Sequence, residues 1–390
     1  MTRGRAALAA ALLALAALLL FVSRLHGHTV RALHAPNHGR DFDFGDPPCA
    51  PGPQPGAADG DVLVRYLGVA GLYIEWRGVA LLTGPYFSRV SVTSAGFGKI
   101  AQDRAAIERG VNGLALDRVH AVLVGHAHYD HLADVPVVLL DHARAASVLV
   151  NRSGANMLSA FPALGPSVVA LEPHDGRWLR LTDRGGTPLP VRVLPIRSNH
   201  ADHFAGYHYA PGEVEAPWTT WQGKRHPDMR EGLPFTFLID LLDDDGRSAF
   251  RIHYQDAASD APLGFPPEEA IAERAVDLAV TCMPSSWRVR DYPRGILERT
   301  RARHVLVTHY EDFFRPLDRP LRFVALLTDR RAATFLETVR AEMALPRHAP
   351  AGPEPPSCGP GGPAWTMPLP GEWLRFHTAA REAHDILPAE

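Results

Sequence analysis

The chain has 390 residues, is 46% hydrophobic and 21% charged, and carries a formal net charge of −3. That length holds one large domain or two ordinary ones around a substantial core. The near-neutral balance excludes an electrostatic case for nucleic acid. The three cysteines form no Cys-x-x-Cys pair, which excludes a finger-type structural zinc.

At the start, Arg3 and Arg5 precede an uninterrupted apolar run from Ala6 to Val22. A signal peptide carries about 7–15 apolar residues and a spanning helix about 17–25, so the run sits at the border of the two. No small-x-small cleavage site follows it, which favours an uncleaved anchor over a cleaved signal. Residues 1–23 are therefore expected to be a signal or membrane anchor and 24–60 a polar, Pro-rich tether. The remainder, 61–390, is expected to form the functional domain, held outside the cytoplasm of a bacterial host because the arginines stay inside. Cys49 and Cys358 lie in Pro/Gly-rich stretches and would be able to pair in an oxidising compartment, whereas Cys282 falls in an apolar run and reads as a core thiol.

Apolar patterning predicts strands at 62–68, 71–76, 79–83, 120–124, 147–150, 168–170, 191–196, 235–240, 250–254, 277–281 and 304–308, with a closing edge strand at 372–376. Helices are predicted at 100–110, 132–142, 267–274, 291–302 and 321–344. No repeat of solenoid period is present.

Between the fourth of these strands and the helix after it stands His126-Ala127-His128-Tyr129-Asp130-His131. Three imidazoles and a carboxylate at a strand end are poor packing material. Crowded imidazoles lower each other's proton affinity, and a carboxylate among them needs a positive partner. A divalent cation satisfies both, and these donors suit zinc, iron, manganese and nickel.

His-x-His-x-Asp-His resembles the signature of the metallo-β-lactamase fold hydrolases. Further motifs follow in order, each after an apolar run: Ser198-Asn199-His200, Gln255-Asp256 and Thr308-His309. The resemblance covers roughly 61 to 376 and implies a four-layer αββα sandwich whose two halves repeat the same plan. It further implies that His126, His128 and His200 hold one metal, that Asp130, His131 and His309 hold a second, and that Asp256 bridges them. His-Tyr-Asp-His-Leu with a late His-Tyr-Glu is similar to N-acyl phosphatidylethanolamine phospholipase D and its bacterial relatives. The layout is also similar to the L-ascorbate-6-phosphate lactonase group. One departure is Thr83-Gly84-Pro85, where many relatives have Thr-Asp-Pro and the Asp supports the metals from behind their ligands.

The implied chemistry is hydrolysis by a metal-bridging hydroxide, with Asp130 and Asp256 as catalytic carboxylates and His203 weighed as a proton donor or substrate contact against a surface or supporting histidine. Zinc is the first expectation for the two ions, with iron or manganese suiting the same residues. The substrate is expected to be a small molecule or lipid, first a phosphodiester such as an N-acyl phospholipid, then a lactone or small ester. A catalytically inactive binding protein on the same scaffold is the reading from another class. A loop over the site is expected at 204–231, with His208, Arg225 and His226 weighed as substrate contacts against ordinary surface. Tyr129 is weighed as a site hydroxyl against ring packing, and Arg288 as a phosphate contact against a surface ion pair. Glu311 and Asp312 are expected behind the ligands or at a helix start. His120, His142, His253 and His304 are expected to be structural.

Overall fold

A computed structural model describes residues 60–203, 206–324, 326–345 and 365–378, together with Leu13. The expected N-terminal anchor and tether, and both Cys49 and Cys358, lie outside the described residues. Among those described, no helix is long and apolar enough to cross a membrane.

Two seven-stranded sheets face each other. The first contains β1 (Asp61–Gly68), β2 (Gly71–Trp76), β3 (Val79–Thr83), β4 (Val119–Leu123), β5 (Ser147–Val150) and β6 (Val168–Ala170), closed at the β1 edge by β14 (Trp373–His377). The second contains β7 (Leu179–Thr182), β8 (Pro188–Arg197), β9 (Phe235–Leu242), β10 (Ser248–Tyr254), β11 (Leu278–Cys282), β12 (His304–Thr308) and β13 (Trp365–Thr366). Each half opens with antiparallel hairpins and continues in parallel strands. The halves therefore share one plan, as the sequence resemblance implies.

Period-two alternation builds the layers. In the first sheet Val62, Val64, Leu72, Ile74, Ala121 and Leu123 join a core with Val193, Phe237, Ile252 and Val280 of the second sheet. Their neighbours Tyr73, Leu82, Val119 and Val122 join a second core with Ile107, Leu132, Val138 and Met157 from the helices. Ile296, Leu297, Phe335 and Leu336 bring helices onto the other sheet, completing αββα.

Several expectations need correction. The last helix spans Asp329–Met343, not 321–344, because Thr328 caps it by accepting the Arg331 N–H and Phe323 pairs instead with Glu311 as an isolated bridge. The predicted helix at 132–142 starts earlier, with the turn Tyr129–Leu132, and continues through Val135–Val137 into a π turn at Val138–His142. Strands β7 and β13 and the helices Val92–Phe97 and Arg152–Leu158 were not predicted: β7 and β13 are short, and the helices are rich in Ser, Gly and Asn. Cys282 is a free, buried thiol whose proton affinity burial pushes up, in keeping with a core role.

Candidate metal centre

Strands β4, β8, β10 and β12 each end at the same edge of the sandwich, and each is followed by potential ligands. After β4 the chain turns through Gly125 into His126 and His128, and the helical turn Tyr129–Leu132 carries Asp130 and His131. His200 follows β8, Asp256 follows β10 and His309 follows β12. The structure brings all seven together in three groups whose donor atoms lie within 4.8 Å of one another: His126, His128 and His200; His126, His131 and Asp256; and Asp130, His131 and His309.

The donor set fits divalent metals, and the hydrogen bonds say which nitrogens would bind. His126 Nδ1 is 3.0 Å from Asp256 Oδ1, His128 Nε2 is 3.4 Å from the Ala210 carbonyl oxygen, and His200 Nδ1 is 2.6 Å from the Ala201 carbonyl oxygen. Each ring thus has one nitrogen facing an oxygen and the other left for a metal, the usual arrangement for a metal-binding histidine; for His126 that oxygen is on Asp256, itself one of the seven donors. His126 Nε2, both nitrogens of His131 and His309 Nδ1 are buried with no hydrogen-bond partner. Such orphans are costly in a folded core unless something else satisfies them.

Proton affinities agree with this inventory. Burial, reinforced by neighbouring imidazoles, holds His128 and His200 well below the ordinary histidine value, and burial brings His131 down to about 4 despite Asp130 beside it. Burial pushes Asp130 and Asp256 up, but the surrounding histidines outweigh it and hold both below the usual carboxylate range. His126 is the exception: burial lowers it, yet Asp256 draws its proton affinity up overall. Neutral imidazoles and ionised carboxylates are the states that bind metal.

Two supports behind the ligands are built into the chain. The backbone N–H of Gly125 donates to Asp256 Oδ2 at 3.0 Å, and a Cβ at Gly125 would stand 2.5 Å from Oδ1 and 2.6 Å from Cγ of the same carboxylate. Position 125 therefore has to be glycine for Asp256 to approach. His309 sits at φ +63 and donates its backbone N–H to the Tyr66 hydroxyl oxygen at 3.1 Å. That hydroxyl donates to Glu311 Oε2 at 2.5 Å, and Glu311 Oε1 takes Arg89 Nη2 at 2.8 Å. Glu311 thus lies behind His309, through the Tyr66 hydroxyl, and starts no helix. Gly84, whose φ is +26, would place a Cβ 3.2 Å from His131 Nδ1, one of the orphaned nitrogens.

The expected loop does lie against the site. Tyr209 donates its backbone N–H to His203 Nδ1 at 3.1 Å, and the His203 ring stacks on His200 at 4.5 Å and 13°. A neutral ring that accepts at Nδ1 carries its proton on Nε2, and burial pushes His203 down to about 3. His208 Nε2 donates to Glu231 Oε2 at 2.6 Å. Neither Glu231 nor the Ala210 carbonyl was singled out from sequence; no local pattern marks them, because their partners are 23 and 82 residues away.

Other candidates go elsewhere. His226 is buried, with Nδ1 2.9 Å from the Ser94 carbonyl oxygen, so it is no surface residue, whereas Arg225 stays exposed while donating to the Phe97 carbonyl oxygen; both tie segment 92–99 down. Tyr129 packs edge-on against Tyr86, Tyr209 and His226. Arg288 is partly exposed, with its Nε buried and without a hydrogen-bond partner. Burial holds His253 at about 4 with its Nε2 on the Gly264 carbonyl oxygen, a structural role.

No family model matches the sequence, and no curated protein matches it. Solved structures do resemble the fold. A possible metal-dependent hydrolase from Veillonella parvula is 12% identical, with 81% of this chain and 99% of that chain covered and a TM-score of 0.44. A metallo hydrolase from the archaeon Ignicoccus hospitalis is 13% identical over the same shares, with a TM-score of 0.43. An isothiocyanate hydrolase from Delia radicum gut bacteria is 12% identical, again with 81% and 99% covered and a TM-score of 0.42. Likeness at this level assigns no activity to the chain.

Proposed function

We propose that the protein is a hydrolase that uses two divalent metal ions, with a phosphodiester as its substrate class. The observation that carries the proposal is the convergence of seven donors from four strand ends, with buried nitrogens of His126, His131 and His309 left unpartnered. His126, His128 and His200 would hold one ion and Asp130, His131 and His309 the other, with Asp256 between them. A metal pair supplies Lewis acidity, which makes water nucleophilic near neutral pH and polarises a phosphoryl or carbonyl oxygen.

The chain's own groups do the rest. Asp256 is held in place by the Gly125 N–H and His126. Asp130 stands 3.6 Å from His131 Nε2 and 3.5 Å from His309 Nε2, within reach of both members of its group. His203 offers an Nε2–H whose direction Tyr209 fixes from the other side of the ring, suited to donating to a substrate oxygen. Zinc is the first candidate metal, with iron and manganese next. The apolar run Ala6–Val22 supports a membrane tether outside the cytoplasm and, with it, a lipid phosphodiester such as an N-acyl phospholipid. A lactone or small ester is the alternative.

Elemental analysis run together with turnover of bis(p-nitrophenyl) phosphate and a simple lactone tests the proposal. Close to two metals per chain with phosphodiester turnover is the expected result. Lactone turnover alone would replace the substrate class, and no uptake of zinc, iron or manganese would overturn the ligand assignment. Asp130→Ala should abolish turnover while keeping the fold; retained function would favour a binding protein on the same scaffold.

A further inference from the structure

Beyond the seven donors, one more imidazole cluster stands at the centre's outer side. His200, His203 and His208 bring donor atoms within 4.8 Å of one another, and all three are partly exposed, whereas His126 and His128 are buried. Ring centroids lie 4.5 Å apart for His200 and His203, 5.4 Å for His200 and His208, and 5.5 Å for His203 and His208.

We propose that His200, His203 and His208 form an outer seat for a divalent metal ion, through which an ion entering from solvent is passed to His126, His128 and His200. This rests on the dinuclear reading above. His208 has the equipment of a ligand: Nε2–H goes to Glu231 at 2.6 Å, and Nδ1 faces the Asp202 carboxylate at 3.5 Å, a contact that an arriving ion would take over. A carboxylate behind a metal-binding imidazole fixes its tautomer and raises its basicity, and the two acids offset an arriving positive charge. His200 commits Nδ1 to the Ala201 carbonyl oxygen, so it has one nitrogen to give. That nitrogen serves either the outer group or the inner group, never both, which makes the two seats alternatives and His200 the hinge between them. His203 joins the outer seat by releasing the Tyr209 N–H that its Nδ1 now accepts. Zinc–imidazole bonds of about 2.0–2.1 Å keep two nitrogens on one ion within about 4.2 Å of each other, so only a small closure of the cluster is needed.

The test counts ions on the full chain. In His126→Ala/His128→Ala protein the inner seat is lost, and two zinc ions per chain should remain, one outer and one at Asp130, His131 and His309. Adding His208→Gln should reduce the count to one. A count that His208→Gln does not change overturns the outer seat. Asp130→Ala reports separately on the second inner group, so failure of the dinuclear reading shows there and not at His208. To keep the test independent of the double variant's folding, zinc uptake by metal-free protein is followed in parallel against a chromophoric chelator. His208→Gln and Glu231→Gln should each slow uptake tenfold or more, and unchanged rates in both would overturn the proposal.

Discussion

Replacing Gly125 by Ala probes how closely the backbone must approach Asp256. Gly125 is not among the residues of positive φ, so alanine meets no backbone penalty and the perturbation is confined to the new methyl group. That methyl would stand 2.5 Å from Asp256 Oδ1 and 2.6 Å from Cγ, where ordinary contact begins at 3.4 Å. The carboxylate has to retreat by about 1 Å, roughly the gap to a normal carbon contact. Retreat strains or breaks the bonds from the Gly125 N–H and His126 Nδ1, each 3.0 Å long. Hydrogen bonds to a charged group contribute about 1.5–3 kcal/mol. Loss of such support behind a metal ligand lowers affinity about 10–100-fold, and a 1 Å misplacement costs on the order of 100-fold in rate. Competition with a chromophoric chelator reads the affinity, turnover reads the rate, and thermal unfolding checks that the sandwich persists. Wild-type affinity and turnover in a folded Gly125→Ala protein would refute the reasoning, since Asp256 would then not need the place the glycine leaves for it.

Tyr66→Phe removes the hydroxyl between the His309 N–H and Glu311, leaving buried polar groups unpaired at about 1–3 kcal/mol. Its melting temperature should fall, and its affinity for an ion at Asp130, His131 and His309 should drop with it; a wild-type melting temperature counts against the support role. Gly84→Asp would set a carboxylate beside the unpartnered His131 Nδ1 and should raise metal affinity, against a backbone strain of about 1 kcal/mol at positive φ. Unchanged affinity in a folded protein sinks that idea. His253 supplies a pH dependence. Its folded value of about 4 lies below the ordinary 6.5, so the unfolded chain takes up the proton first as pH falls. The contribution is fully present above pH 6.5 and lost on the way down to 4, amounting to about 3 kcal/mol over the window. Urea midpoints at pH 7 and 4.5 should therefore differ less in His253→Gln than in wild type.

The residues whose chemistry is local were legible in the sequence. His126 to His131 mark a candidate metal site by crowding alone, and His200, Asp256 and His309, which the structure brings to the same place, follow apolar runs that become β8, β10 and β12. What stayed hidden depends on distant partners. Nothing near Arg89 in the sequence foretells its burial against Glu311, 222 residues on. Likewise the Ala210 carbonyl behind His128 is a backbone group, and residue type carries no trace of it. The last helix was overextended because Phe323, Leu326 and Leu327 have helical spacing, yet Thr328 offers a better cap and Phe323 a pairing partner.

The pairing of β14 with β1 sets an order of events. Asp61 is matched to His377 and Arg65 to Trp373, so the edge of the earliest sheet is covered by almost the last residues described. During synthesis β1 to β6 emerge as a sheet with an open β1 edge, a row of unpaired N–H and C=O groups able to recruit another strand. The whole second sheet must be made before the covering strand exists. A chain stopped ahead of Trp373 would keep all seven proposed metal ligands and still present that adhesive edge, so aggregation during expression should track loss of the C-terminal strand while the candidate site itself remains encoded.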